Sequence, residues 1–174
     1  MNPSNETRLR KIERASTLIR TAISALYVPV AIITVASTVA VVAGWSAHIS
    51  YEGQVFIPSA LPLSSRLILA LAVLAAGAVA AKGLFHLRRL AGNYTRREIF
   101  TTDSARQIRD FGVSCMLWGV VKVVWAFLPL LVSVHRMSVY STSIDPILMG
   151  AVIVGISWFA EMAAALREEN ELTI

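Results

Sequence analysis

The run LILALAVLAAGAVAAKGLFHL, residues 67–87, decides what kind of protein this is. It carries one lysine, Lys82, and one histidine, His86, both near its end, and is otherwise apolar. As a helix rising 1.5 Å per residue it would be about 31 Å long, the thickness of a bilayer's hydrocarbon core. Its apolar residues are continuous rather than confined to one helical stripe, so the solvent it suits is lipid.

Working outward, three more blocks read the same way. Residues 21–47 contain Pro29, residues 111–134 contain Lys122 and Pro129, and residues 147–166 contain Glu161. Each is long enough to span. A barrel would need many short alternating segments instead, so helices are the form expected. The reading is an all-α membrane protein: one membrane domain over residues 1–174, built as a four-transmembrane-helix bundle. The connections are a loop at 88–110 and two on the other side, at 48–66 and 135–146. Composition agrees: 56% of residues are hydrophobic, 16% are charged, and the mean hydropathy is +0.63. Soluble enzymes, disulfide scaffolds and disordered tails do not look like this. Cys115, the one cysteine, lies inside an apolar run and cannot form an internal disulfide.

Sidedness follows from the cations. Arg8, Arg10, Lys11, Arg14 and Arg20 precede the first block, and Arg88, Arg89, Arg96, Arg97, Arg106 and Arg109 fill the middle loop. The other two connections hold only Arg66 and Arg136. That asymmetry places both termini and the middle loop of this multi-pass chain on the cytoplasmic side. The leading cations resemble the start of a signal peptide, but the apolar stretch is far longer than a signal core, so the span is expected to be retained. Trp45 and Tyr51 suit the outer interface. Residues 8–20 can continue the first helix or lie on the lipid surface. Gly92-Asn93 is expected to break the second helix, and Thr101 or Thr102 to cap a new one beginning near Asp103.

The cytoplasmic ends carry two wordings that resemble a known family. One is Tyr94-Thr95-Arg96-Arg97-Glu98-Ile99-Phe100-Thr101, continued by Asp103-Ser104-Ala105 and Ile108-Arg109. The other is the tail Glu168-Glu169-Asn170-Glu171-Leu172-Thr173-Ile174. With four spans in the same places, these are similar to the bacterial membrane family called domain of unknown function 2975. Arg97 stands where that family usually has Gly, Asp103-Ser104 where it has Glu-Asn, and Glu171 where it has Asp. The resemblance implies no established catalytic activity. It also implies a partner, because the family's genes commonly neighbour one for a small helix-turn-helix regulator.

The intramembrane charges are the sharpest feature. Lys82 and Glu161 each lie six residues from a flanking arginine, about 9 Å in, and Lys122 lies about 18 Å beyond Asp110. An interhelical cluster of Lys82, Glu161 and Lys122 is expected, with His86 on the same face as Lys82. It would either fix helix register or form a polar pocket for an ion or small ligand. Cys115, Trp118, Lys122, Trp125 and Pro129 form a stripe that either packs or lines a cavity. Thr34, Ser37, Thr38 and Ser157 are expected to hydrogen-bond between helices.

No Gly-x-Ser-x-Gly, His-Glu-x-x-His or phosphate loop occurs, so no enzyme is expected. No metal-spaced His/Cys cluster occurs either, and no metal or cofactor is expected. The basic loop suits topology and anionic lipid, or an acidic protein surface; without a recognisable module, direct nucleic-acid binding is not expected. The acidic tail could meet the loop's arginines. Two functions follow. One is an interaction protein whose cytoplasmic face binds the regulator or another protein. The other is a small transporter or ligand sensor around the Lys/Glu pocket, as a homo-oligomer.

Overall fold

The computed structural model describes the backbone of residues 3–45, 49–51, 54–96, 101–131 and 144–172, and the side chains of 14–45, 57–96, 101–129, 144–166 and 169. Four long helices dominate: α1 (Pro3–Ala43), α2 (Leu63–Thr95), α3 (Thr102–Leu131) and α4 (Asp145–Leu172). Each contains a stretch long and apolar enough to cross a membrane. The chain is a multi-span membrane protein whose helices pack as a bundle. Each helix packs chiefly on the next along the chain, and α3, between α2 and α4, is the most enclosed.

The helices run further than the apolar blocks. α1 extends unbroken back through its basic leader and across Pro29, so the leader continues the span. It stops at Ala43, short of residue 47. Gly44 takes φ +68°, and the amides of Gly44 and Trp45 bond back to the carbonyls of Val41 and Ala40. That is the paired cap of a Schellman end, which needs a left-handed residue. Trp45 then stands exposed, as an interfacial anchor should.

α2 does not break at Gly92-Asn93 but continues to Thr95. Asparagine weakens helices when its side chain competes for local backbone. Here the Asn93 amide is engaged elsewhere, donating to Asp103 Oδ2 at 2.7 Å and Ser104 Oγ at 3.3 Å. α3 begins as its sequence requires: Thr101 Oγ1 accepts the Ser104 amide at 3.2 Å, the bond of an N-cap.

Between α1 and α2 the chain forms a small antiparallel hairpin, β1 (Ile49–Tyr51) with β2 (Gln54–Phe56), and a 3-10 turn at Pro58–Ala60. The runs are β-branched and aromatic but only three residues each, too short to stand out in a loop. Arg66, in the first turn of α2, donates through Nε to the Leu61 carbonyl at 2.9 Å, and its guanidinium lies against Gly44. One side chain thus joins the end of α1, the turn and the start of α2.

The apolar core lies toward this end: Val41 of α1, Leu69 and Ala70 of α2, and Trp125 and Leu128 of α3. Most large apolar side chains instead point outward, among them Leu71, Val152, Phe159 and Met162. That inside-out distribution is what lipid contact permits. Close approach comes from glycine. Gly77 receives Thr34, and a Cβ on Gly112 would meet the Gly150 carbonyl of α4 at 2.9 Å.

The hydroxyls expected to bridge helices turn inward on their own. Thr34 and Thr38 donate to the carbonyls four residues back, at 2.7 Å each, and Ser157 to that of Val154 at 2.7 Å. Carbonyls of a neighbouring helix are already engaged in its own ladder, while the local one is always within reach.

Candidate functional site at the basic end

The polar side chains gather at the end where the arginines lie, formed by the close of α2, the opening of α3 and the last third of α4. On α2, His86 is nearly enclosed, its side chain 13% exposed. Its Nδ1 lies 3.0 Å from Gln107 Oε1, and with the proton on that nitrogen the ring donates to the amide oxygen. Asp110 Oδ2 is 3.9 Å from the same nitrogen. A charged imidazolium would have its counter-ion in place. Gln107 and Asp110 are three residues apart on α3 and so share the face toward α2.

The next residue round α3, Arg109, faces the other way. Its guanidinium lies 3.5 Å from Glu161 Oε1 on α4 and 4.0 Å from Asp110. His86, Asp110, Arg109 and Glu161 therefore form a chain of contacts running from α2 through α3 to α4. A turn nearer the tip, Thr101, Ser104, Asp103 and Asn93 make a second knot that closes the α2–α3 corner. Ser104 is buried there. Polar contacts of this kind hold α2 to α3 where apolar packing thins out.

The expected Lys82–Glu161–Lys122 cluster is not what this register builds. Glu161 meets Arg109, which is thirteen positions from Lys122 along α3, about 20 Å. Lys122 is three residues past Gly119, whose surface packs on Ile147. That places Lys122 beside the first turn of α4, which opens with Asp145, and not level with Glu161. Lys82 is exposed on the lipid side of α2, while its neighbour Gly83 faces Ser114 of α3. His86 belongs to the network, but through Gln107 and Asp110. The depth estimate took Arg88, Asp110 and Arg167 to lie at one height, whereas Glu161 itself reaches the level of Arg109.

Of the motif residues, Tyr94 is half-buried at the end of α2 and Thr101 is the α3 cap. Arg97, Glu98, Ile99 and Phe100 lie outside the described residues, as do Thr173 and Ile174. Glu168, Glu169, Asn170 and Leu172 lie within α4, which runs straight through the tail; Glu169 is exposed. On α3, Trp125 and Pro129 are buried and Cys115, Trp118 and Lys122 half-buried, so the stripe is turned inward. Arg109, Gln107 and Asp110 were missed as partners. Their signal is a polar run at helical spacing leading into a span, whose cations suit topology, anionic lipid or an acidic surface just as well. Among the described residues no group of histidine, cysteine, aspartate or glutamate could hold a metal ion.

No family model, no curated protein and no solved structure matches the chain.

Proposed function

We propose that this multi-span protein is an interaction protein of the bacterial inner membrane. Both termini and the α2–α3 corner face the cytoplasm, and that face docks a cytoplasmic protein. One observation carries the reading: the polar side chains are spent on tying α2, α3 and α4 together at the basic end. Helices fixed to one another there make a firm platform, and firm platforms suit docking more than transport. Exposed Arg88, Arg96 and Arg106 decorate it. Their charge favours an acidic partner surface. Tyr94 and Thr101, from the wording that resembles domain of unknown function 2975, lie at the same corner, and that resemblance points to a helix-turn-helix regulator as the partner.

The transporter or sensor reading has less support, since Lys82, Lys122 and Glu161 sit in three different surroundings. The test is in-cell cross-linking of the full chain followed by purification. A stoichiometric cytoplasmic protein, lost when Arg96→Glu and Arg106→Glu are combined, is the result expected. A partner retained in full by that double variant, or no cross-linked protein at all, would overturn the proposal.

A further inference from the structure

The lipid-facing side of α2 carries two cations that no described carboxylate neutralises. Lys82, Phe85 and Arg89 follow one another at steps of three and four, so they form one stripe. All three are exposed, in line with Leu71 and Leu74, which are exposed further into the span. Among the described residues Lys82 has no hydrogen-bond or ion-pair partner. The Arg89 guanidinium instead folds back over the Phe85 ring, 5.1 Å from its centroid. Folding back brings its charge about one turn deeper, toward Lys82.

Among the described residues no carboxylate balances these two charges. Neither α2 nor the part of α1 beyond residue 13 contains an acidic residue. The nearby carboxylates are committed elsewhere: Asp110 to His86 and Arg109, Asp103 to Asn93, and Glu161 to Arg109. A lysine facing hydrocarbon is costly unless it meets an anion or reaches the interface. In helices the Cα–Cβ bond leans toward the N-terminus, which for α2 is toward the bilayer centre. Lys82 is therefore badly placed to reach the surface alone, and well placed to draw an anion down to it.

We infer that Lys82, Phe85 and Arg89 form a site for an anionic phospholipid. Its phosphate lies between the ammonium and the guanidinium, and its acyl chains run along Phe85, Leu74 and Leu71. The occupant is a lipid and not a soluble anion, because the approach to Lys82 is through the apolar face. The surrounding bilayer supplies that chemistry without any further cavity.

The test uses the full chain in nanodiscs of equimolar phosphatidylcholine and phosphatidylglycerol, released into native mass spectrometry to count retained lipids. The wild type retains phosphatidylglycerol in preference. A cation that meets the lipid phosphate contributes about fivefold to that preference, so Lys82→Gln and Arg89→Gln each reduce it by about that factor. Lys82→Arg preserves it, and Arg106→Gln, an equal charge loss on α3, leaves it unchanged. Should Lys82→Gln fail to fold, Arg89→Gln carries the comparison. Equal retention of both lipids by the wild type would overturn the inference. So would loss in Arg106→Gln as large as in Lys82→Gln, or displacement of the retained lipid by excess inorganic phosphate.

Discussion

Gly44 holds a backbone angle that side chains resist, and the Arg66 guanidinium occupies the space a Cβ would need. Gly44→Ala therefore meets two costs: a left-handed residue, about 1–2 kcal/mol, and displacement of Arg66 from its carbonyl. A lowered unfolding temperature in detergent, with helix content unchanged, is the expected result; equal melting would show that the cap contributes nothing. At this scale the sequence was only partly legible. A glycine followed by tryptophan after an apolar run is a readable helix stop, yet the run continues with Ala47, and the block was carried past it. Arg66 was counted as a stray outer charge. Its role depends on the Leu61 and Ser59 carbonyls and on a glycine brought near by folding.

The elements are held by two kinds of seam. α3 and α4 meet backbone to backbone at Gly112 and Gly150. Gly150→Val would force them apart and cost about 1–3 kcal/mol, as overpacking generally does. Disulfide cross-linking between cysteines placed on the two helices should fall in that variant, and undiminished cross-linking would show a seam that adapts. α2 and α3 meet instead through side chains, at His86–Gln107 and at Asn93 with Asp103 and Ser104. Asn93→Ala should let the last turn of α2 fray, read as faster amide exchange at residues 91–95 with the spans unaffected. The four helices themselves were legible, because a twenty-residue apolar run has one physical solution in a membrane. Their ends were not. Whether Gly92-Asn93 stops a helix depends on Asp103 waiting across the corner, and a local rule has no access to that.

For the whole molecule, sidedness is the proposal most open to direct measurement. With Cys115→Ser as background, Arg96→Cys should be labelled by an impermeant maleimide only from the cytoplasmic side, and Ser59→Cys only from the other. The reverse pattern would turn the proposed docking face outward. The expectation rests on cation asymmetry, which is a sum over many residues and survives errors in any one. The charge cluster was not readable, because it required the relative heights of three helices to within a turn.

The Arg109–Glu161 pair has a bearing on how the molecule is made. A ribosome delivers α3 before α4, so the guanidinium is already in the membrane when the carboxylate arrives. Glu161 is the one charge in the apolar stretch 147–166 of α4, which would enter lipid less readily by itself. Its counter-charge waits on the segment just synthesised, beside the glycine seam that α4 must find. The last helix is thus guided to its place by the one before it. Exchanging the order of the two segments in the gene would deprive Glu161 of that reception, whereas Glu161→Leu would make α4 indifferent to when it is born.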